Sequence, residues 1–471
     1  MSKSLFDRRW PWLVAAGVVV LPLLSTILEL RHEPDSDPRP AGSIEDVLAM
    51  RERDDLNVLF VVIDTLRADR LGTYGYERDT SPTLDRLASG GVRFAHHLAQ
   101  STWTKSSMAS LWTGMYPKRT GVNRFDDIVP AQAHMPAEIL KEAGFNTVAL
   151  FRNGWLSDNF GFGQGFDVYM RPSTLPIPKS IRIENPTITA RGTDEDILAA
   201  ALEFLRVQGD ERFFLYLHMM DVHEYVYDRE SALFGGTYSD NYDNSIRWVD
   251  GVIDVLLAHL AHLGLRENTI IALASDHGEA FGERGLEGHA RRLYRETTEV
   301  PFIISLPFRL EPGIVVAART QNIDIWPTLL DLLGLDSPPD IDGHSRVSDI
   351  LASGRGEAPT EVLGTAMAHL DQTWGQRGRD PMLSVAVTDG SLRYVRREAV
   401  PGGEVTEEVF DSRLDPDETR NRLDQDAEAL LRLREAADSY LELTPEWGEA
   451  PTRELGELEL NQLRALGYAL P

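Results

Sequence analysis

The chain has 471 residues, 42% of them hydrophobic and 8% aromatic, which suits one large α/β domain with a small accessory domain. Its 47 basic and 74 acidic residues give a formal net charge of −27, which argues against binding to nucleic acid or an anionic membrane surface through a broad positive face. The chain contains no cysteine, so disulfides and thiolate metal sites are excluded.

The first predicted element is an uncharged apolar segment at residues 10–28 that follows several basic residues. About 20 apolar residues can cross a bilayer, and a positive flank favours retention of that end in the cytoplasm. We interpret residues 1–31 as a membrane anchor, with a cleaved signal peptide and an unrelated buried helix as alternatives. The first two interpretations place the remaining chain outside the cytoplasm, in the periplasm or the extracellular space. Residues 32–55 are polar and rich in proline, and they predict a linker.

From residue 56 onward, strand and helix patterns alternate. An apolar, β-branched run at 57–63 predicts a buried parallel strand that delivers Asp64 at its end. Further patterns predict helices at 81–91, 135–144, 194–207 and 244–264, and strands at 146–151, 212–219, 269–276 and 300–307. This alternation predicts an α/β sandwich with a mostly parallel sheet, in which ligands bind beyond the carboxyl ends of the strands. Asp64, Asp221 and Asp276 lie at such ends, and we expect them to share one site.

After about residue 345 the pattern changes. Residues 382–397 and 404–413 predict short antiparallel strands, the first of which contains a tight Asp-Gly turn. A polar helix is predicted at 424–443. The sequence therefore indicates a second, smaller domain at the carboxyl end.

Four segments carry residues suited to metal-assisted transfer of an anionic group, and they are the strand end at Asp64 and residues 101–117, 216–227 and 275–290. Asp64 and the pair Asp276-His277 offer carboxylate and imidazole donors at strand ends, which divalent metals accept. In STWTKSSMASLWTGMYP, at 101–117, hydroxyl residues precede a helix whose amino end favours an anion. A metal-bound hydroxyl there could attack phosphorus or sulfur. The alternative is a Ser/Thr-rich helix cap without chemistry.

Three histidines lie near the same strand ends. His223 follows a strand and could act as a leaving-group acid or bind a nonbridging oxygen. His289 lies further along the chain near the same predicted edge. His218 is inside a predicted strand, and we interpret it as structural.

Motifs in one consistent order run from about residue 56 to the carboxyl end. They are NVLFVVIDTLRADRLGTYGY, SPTLDRLASGGVRFAHHLAQ, TWTKSSMASLWTGMYPKRTGV, GFGQGFDVY, DVHEY, SDHGEAFGERG, VPFII, NIDIWPTLLDLLGL, VFDSRLDPDETRN and LRALGY. As a set they resemble the sulfatase family of the alkaline phosphatase superfamily. The resemblance implies an alkaline-phosphatase-like three-layer sandwich around a mostly parallel sheet, with a catalytic domain at 56–345. It also implies a small α+β subdomain at 346–471 and a metal-dependent enzyme that acts on ester bonds.

The resemblance also implies roles for individual residues. Asp64, Asp276 and His277 match metal ligands of the family. Thr104 matches the cysteine that sulfatases convert to formylglycine, which makes it the expected nucleophile and a further metal ligand. His223 matches the histidine near the leaving group.

Three further residues are expected on the substrate side of this site. His289 occupies the region where relatives supply a lysine or histidine for the substrate oxyanion, and Asn153 lies where sulfatases carry a substrate-contacting lysine. Lys105 follows the nucleophile and could place a catalytic cation beside it, with a solvated surface lysine as the alternative.

The sequence departs from the family pattern at the nucleophile. Thr104 cannot become formylglycine, and Thr65 replaces the second acid of the usual Asp-Asp pair. A threonine nucleophile with an Asp, Thr, Asp and His metal set resembles phosphodiesterases, phosphonate monoester hydrolases and phospholipid head-group transferases. We therefore expect hydrolysis or transfer of phosphate or phosphonate esters through a covalent Thr104 intermediate. The alternatives are sulfate-ester hydrolysis by a route without formylglycine, and a catalytically weak, membrane-tethered binding protein.

The expected cofactor is one divalent metal ion, with zinc or manganese favoured and calcium or magnesium as alternatives. A second ion is expected only if Asp221, His223 and His289 converge. The expected substrate is a small-molecule, lipid-linked or glycan-linked anionic ester, and nucleic acid is not an expected partner.

The anchor interpretation makes a direct prediction about the mature protein. We expect residues 10–28 to remain on the chain purified from membranes, because their length suits a bilayer-spanning helix better than a signal peptide. Amino-terminal sequencing checks this, and a mature chain that starts near residue 30 would instead identify a cleaved signal.

Overall fold

The computed structural model describes residues 37–174, 176–185, 192–357, 364–374, 381–399, 402–457 and 460–461. The predicted anchor at 1–31 and the LRALGY motif at 463–468 lie outside these ranges. Among the helices in the described ranges, none combines the length and apolar composition that a bilayer crossing requires.

Strands and helices alternate along the catalytic region, as the patterns predict. The strands are β1 (Asn57–Ile63), β2 (Val92–Leu98), β3 (Asn146–Phe151), β4 (Val168–Met170), β5 (Phe213–Met219), β6 (Thr269–Ala274), β7 (Ala280–Phe281), β8 (Glu287–Gly288), β9 (Phe302–Ser305), β10 (Ile314–Gln321), β11 (Ala366–Asp371), β12 (Leu383–Asp389), β13 (Leu392–Glu398) and β14 (Val405–Asp411). The helices are α1 (Ile44–Ala49), α2 (Pro82–Ser89), α3 (Thr104–Thr113), α4 (Pro117–Thr120), α5 (Pro136–Glu142), α6 (Lys179–Glu184), α7 (Asp194–Gln208), α8 (Tyr238–His262), α9 (Arg295–Thr298), α10 (Ile325–Leu332), α11 (Val347–Gly354) and α12 (Ala427–Leu441).

The main sheet has eight strands in the order β10-β2-β9-β6-β1-β5-β3-β4. Its pairs are parallel except where β9 runs antiparallel between β2 and β6. Every residue of β1, β5 and β6 is buried, as expected for parallel strands covered on both faces. The predicted α/β sandwich with a mostly parallel sheet is therefore confirmed.

Alternate residues of β1 enter two different hydrophobic cores. Val58, Phe60 and Val62 belong to one core, and Leu59, Val61 and Ile63 belong to the other. Successive side chains of a strand point to opposite faces, so the two cores cover the two faces of the sheet. On the Phe60 face, the rings of Trp112 in α3 and Trp326 in α10 stack with centroids 5.2 Å apart. This packing fixes α3, whose first residue is Thr104, against the sheet.

The predicted smaller unit contains an antiparallel sheet in the order β11-β12-β13-β14. Leu433 and Tyr440 of α12 pack with Val385, Val387 and Tyr394 of this sheet. The Asp-Gly turn lies between β12 and β13, where Gly390 has φ +55°, a conformation that glycine adopts without steric cost. The backbone N–H of His369 in β11 donates to the Gln100 carbonyl at 2.8 Å. The small sheet thus supports the segment that leads into α3.

The part of the predicted linker that lies at residues 37–55 is packed rather than extended. Val47 and Met50 are buried in the core on the Phe60 face. The guanidinium of Arg39 is also buried, and its Nη1 donates to Ser305 Oγ at 2.8 Å and to the Leu306 carbonyl at 2.9 Å. The linker prediction is wrong for these residues, because polar composition does not show that a few side chains find buried partners.

This docking predicts a stability effect for Arg39→Met. The substitution should lower the free energy of unfolding by about 2–3 kcal/mol, because buried acceptors lose their donor. Urea-induced unfolding measures the change. Arg206→Met is the control, since Arg206 pairs with Glu203 on the exposed surface of α7 and should leave stability unchanged. Equal stability of the Arg39→Met protein and its parent would contradict the docking.

Candidate active site and metal centre

Two buried acids meet at the carboxyl end of the central strands. Asp64 follows β1 and Asp276 follows β6, and these strands are parallel neighbours. The ends of adjacent parallel strands lie at the same edge of a sheet. Asp64, Asp276 and His277 are all buried, and each offers a ligand atom within 4.8 Å of the others. His277 Nε2 lies 3.3 Å from Asp276 Oδ2 and 3.9 Å from Asp64 Oδ1.

The two carboxylates each keep one oxygen for a further partner. Asp64 Oδ1 and Asp276 Oδ2 are buried and accept no hydrogen bond within the part of the chain that the structure describes. Burial, together with the charge of Asp64, raises the pKa of Asp276 well above its ordinary value. Adjacent buried carboxylates need a compensating positive charge, and with an imidazole nitrogen they form a suitable donor set for a divalent cation. These residues therefore fit a metal site.

A strained turn at Thr65 orients Asp276. Thr65 has φ +62°, which is an unusual conformation for a β-branched residue. In this conformation its backbone N–H donates to Asp276 Oδ1 at 3.2 Å, and the backbone N–H of His277 donates to the same oxygen at 3.0 Å. The Thr65 hydroxyl donates to the Asp64 carbonyl at 2.6 Å. Thr65 thus supplies a backbone donor where the family pattern has a second acid.

The second oxygen of Asp64 is held by two side chains from neighbouring strands. Asn153 Nδ2 donates to Asp64 Oδ2 at 2.7 Å, and His218 Nε2 lies 3.1 Å from the same oxygen. The other ring nitrogen of His218 is 2.8 Å from the Tyr216 hydroxyl. Burial opposes ionisation of Asp64, but His223 and His218 lower the pKa of this carboxyl below its ordinary value.

These contacts change the interpretation of His218 and Asn153. His218 was interpreted as structural, but it contacts a predicted metal ligand directly. Its signal in the sequence is only its place near the end of β5, and that signal becomes informative once β5 is known to pair with β1. Asn153, expected on the substrate side, contacts Asp64 as well. Partners of this kind orient metal ligands and tune their affinity.

Thr104 begins α3 beside this cluster. Its Oγ1 lies 3.1 Å from His277 Nε2, and every residue of α3 is buried. The Ser107 hydroxyl donates to the Asp276 carbonyl at 2.6 Å. This hydrogen bond connects the first turn of α3 to the segment that contains Asp276 and His277. The position of Thr104 suits the predicted nucleophile, and its catalytic role stays a prediction.

Three histidine rings form a wall beside this cluster. The ring centroid of His289 is 4.5 Å from that of His277 and 5.0 Å from that of His223. His289 Nδ1 is 2.9 Å from Glu279 Oε2. Burial raises the pKa of Glu279 to about 7. The signal for Glu279 in the sequence is its place in the SDHGE motif, two residues after His277.

Asp221 does not join this wall. Its Oδ1 accepts from Arg152 at 2.5 Å, and its Oδ2 accepts from Trp248 Nε1 at 2.8 Å. The expectation that Asp221 shares a site with the other two strand-end acids is wrong, because both of its carboxylate oxygens are bound by Arg152 and Trp248 instead. The condition for a second metal ion is therefore not met.

Lys105 is buried rather than solvated. Its Nζ donates to the Phe125 carbonyl at 2.9 Å and lies 3.8 Å from the centroid of the Phe160 ring. Burial lowers the pKa of Lys105 well below its ordinary value. These contacts are with a carbonyl and an aromatic ring, so they give no support to a cation at the nucleophile.

Residues 56–335 match the sulfatase family model. The chain belongs to the sulfatase family. It is 27% identical over 348 residues to an ulvan-active sulfatase from Formosa agariphila, an alignment that covers 65% of this chain and 67% of that relative. The family's enzymes are ester hydrolases that bind a divalent metal, and the group of Asp64, Asp276 and His277 could hold one.

Solved structures share the fold of this sulfatase-family protein. A Bacteroides thetaiotaomicron protein described as a sulfatase superposes with a TM-score of 0.67 at 20% identity, over 82% of this chain and 92% of that one. The phosphonate monoester hydrolase of Agrobacterium radiobacter superposes with a TM-score of 0.62 at 20% identity, over 82% and 95% of the two chains.

The geometry of this sulfatase-family site predicts how metal binding responds to substitution. Asp276→Asn should abolish stoichiometric binding, because it removes one charged ligand. His218→Gln should weaken binding by about 10- to 100-fold, since it removes the partner that orients Asp64. Elemental analysis and titration of the metal-free protein with Zn²⁺ or Mn²⁺ measure both effects. His134→Gln, at an exposed position, is the control, and parent affinity in the His218→Gln protein would refute the role of His218.

Proposed function

We propose that this sulfatase-family hydrolase cleaves or transfers phosphate or phosphonate esters through a covalent phospho-Thr104 intermediate. The observation that carries the proposal is the position of Thr104. Thr104 is the first residue of a buried helix, and its hydroxyl oxygen lies 3.1 Å from His277 Nε2. The chain has no cysteine that could be converted to formylglycine.

The donor set favours a single divalent ion, held by Asp64, Asp276, His277 and the Thr104 hydroxyl. Mixed carboxylate, hydroxyl and imidazole donors suit zinc or manganese better than calcium or magnesium. When bound, such an ion lowers the pKa of the hydroxyl so that it reacts as an alkoxide, and it neutralises charge on the ester.

The reaction of the protein groups has two steps. Thr104 Oγ1 forms a bond to phosphorus while the bond from phosphorus to the leaving oxygen breaks. His223 gives a proton to that oxygen, which departs as an alcohol. Water then attacks phosphorus, the bond between Oγ1 and phosphorus breaks, and a proton from the water returns to His223. An acceptor alcohol in place of water would give transfer instead of hydrolysis.

Phosphorus has the better mechanistic case because of the second step. A sulfatase releases sulfate when its formylglycine hydrate collapses, and threonine has no second hydroxyl on its reacting carbon. A phospho-threonine is instead opened by direct attack on phosphorus. On the substrate side, the wall of His223 and His289 next to Asn153 would hold the nonbridging oxygens of the ester.

Sulfate-ester hydrolysis is the second candidate. The relatives by sequence favour it, since they include the ulvan-active sulfatase and an N-acetylgalactosamine-6-sulfatase from Canis lupus familiaris. These names also support an anionic ester carried by a small molecule or a glycan, with a lipid-linked ester as a further possibility. A catalytically weak binding protein is the third candidate, and it predicts a purified protein without metal.

We also propose that the enzyme acts outside the cytoplasm, attached to the membrane through residues 10–28. The support for this is the apolar composition of the segment and the basic residues before it. Export as a soluble enzyme is the alternative.

The nucleophile assignment predicts the effect of Thr104→Ala. The substitution should lower kcat by about a thousandfold or more, because the covalent route is lost. Mass spectrometry of the quenched parent protein should show a phosphoryl group on the peptide that contains Thr104. The control is Ser110→Ala on the same buried helix, since the Ser110 hydroxyl has no hydrogen-bond partner in the described part of the chain. Equal turnover by the Thr104→Ala protein and its parent would refute the assignment.

A substrate panel tests the choice of phosphorus over sulfur. Aryl phosphate, phosphodiester, phosphonate and sulfate esters are assayed with the metal-loaded full-length protein in detergent. We expect the highest kcat/KM with one of the phosphorus esters. Turnover of sulfate esters alone would overturn the proposed chemistry while leaving the ester hydrolase in place.

A further inference from the structure

A buried ion cluster includes the sequence neighbours of two residues of the candidate site, Asn153 and His223. Its centre is Arg152, which follows β3 and is 4% exposed. Arg152 Nη1 donates to Asp194 Oδ1 at 2.9 Å and to Asp221 Oδ1 at 2.5 Å. Arg152 Nη2 donates to Glu224 Oε2 at 2.7 Å. One guanidinium therefore binds carboxylates from three separate points of the chain.

Asp194 and Asp221 each accept a hydrogen bond from the backbone N–H of the other. The N–H of Asp194 donates to Asp221 Oδ2, and the N–H of Asp221 donates to Asp194 Oδ2, both at 2.8 Å. The N–H of Met220 donates to Asp194 as well. These contacts fasten the amino end of α7 to the end of β5, where the chain turns toward His223.

The turn that carries His223 is tight. The N–H of Glu224 donates to the Met220 carbonyl at 3.0 Å, and the N–H of Val226 donates to the Asp221 carbonyl at 2.8 Å. Tyr225 has φ +55°, which costs free energy for a residue with a side chain. Contacts outside the turn must maintain this conformation. The ion pair of Glu224 with Arg152 is one of them, and Glu224 is the immediate neighbour of His223.

Arg152 also has a sequence neighbour in the candidate site. The next residue is Asn153, which donates to Asp64 at 2.7 Å. Asn153 and His223 follow different strands, β3 and β5, and Arg152 is the side chain that links the ends of both. Small displacements of such groups are costly, because about 1 Å of misplacement can reduce a rate by about a hundredfold.

We propose that Arg152 is a positioning residue that sets His223 and Asn153 against the nucleophile, with Glu224 as the contact that aligns His223. The inference rests on the proposed function, in which His223 protonates the leaving oxygen. It holds for a phosphorus or a sulfur ester, because both leaving groups depart with a proton. Two of the three carboxylates, those of Asp194 and Asp221, are fully buried, and loss of the shared guanidinium would leave them without their cationic partner.

A leaving-group series separates positioning from general damage to the fold. Glu224→Ala should lower kcat/KM, which reports formation of the covalent intermediate, by about ten- to a hundredfold for an alkyl ester, whose alkoxide needs a proton from His223. For the matching nitrophenyl ester the loss should be less than about threefold, because nitrophenolate departs without a proton. Glu224→Gln, which can still accept from Arg152, should recover most of the alkyl-ester activity. Arg152→Lys should show the same selective loss if it folds, which its thermal unfolding reports.

The matched control is Glu203→Ala, an exposed glutamate of α7 paired with Arg206, which should change neither rate. Equal losses for the two leaving groups, or no loss for the alkyl ester, would overturn the positioning role while the parent enzyme stays active. If the parent cleaves only sulfate esters, the leaving-group series is repeated with alkyl and nitrophenyl sulfates. That result refutes the proposed phosphorus chemistry but still tests the positioning role. A parent without turnover on any ester overturns the proposed function, and the positioning role with it.

Discussion

Two negative charges kept close together in the protein interior determine the rest of this site. Asp64 and Asp276 lose their hydration on burial and repel each other, and both effects cost free energy. Parallel pairing of β1 and β6 brings them together, and the strained Thr65 turn with the His277 backbone holds one Asp276 oxygen. The oxygens that have no donor within the described residues favour binding of a cation. The surrounding residues stabilise the two carboxylates in the orientation that such a cation requires.

The nucleophile helix is held by the same arrangement. All of α3 is buried, its first turn hydrogen-bonds the Asp276 carbonyl through Ser107, and Trp112 stacks on α10. The hydroxyl of Thr104 therefore lies next to the predicted metal ligands, 3.1 Å from His277 Nε2. As the predicted nucleophile, threonine would offer different chemistry from the formylglycine of sulfatases.

Support for the metal ligands comes from two sides. His218 of β5 and Asn153 after β3 both contact Asp64. His289 stacks on His277, and Glu279 contacts Nδ1 of His289. Beyond Asn153, the Arg152 cluster adds a further layer of charge. Polar groups in a low-dielectric interior are stabilised where they have partners, as one oxygen each of Asp64 and Asp276 does, while the other oxygen of each remains for a cation.

Sequence alone was enough to predict the α/β sandwich and the positions of Asp64, Thr104, Asp276 and His277. Asp64, Asp276 and His277 follow a local signal, the end of an apolar strand run, which survives without tertiary context, whereas Thr104 is implied by the resemblance of its motif to the sulfatase family. The roles of His218, Asp221, Glu279 and Lys105 depended on the tertiary structure. Contacts between segments far apart in the chain decide these roles. They determine which strand lies beside β1, which acid pairs with Arg152 and which ring packs against Lys105. Burial and charge pairing arise only when those segments pack together.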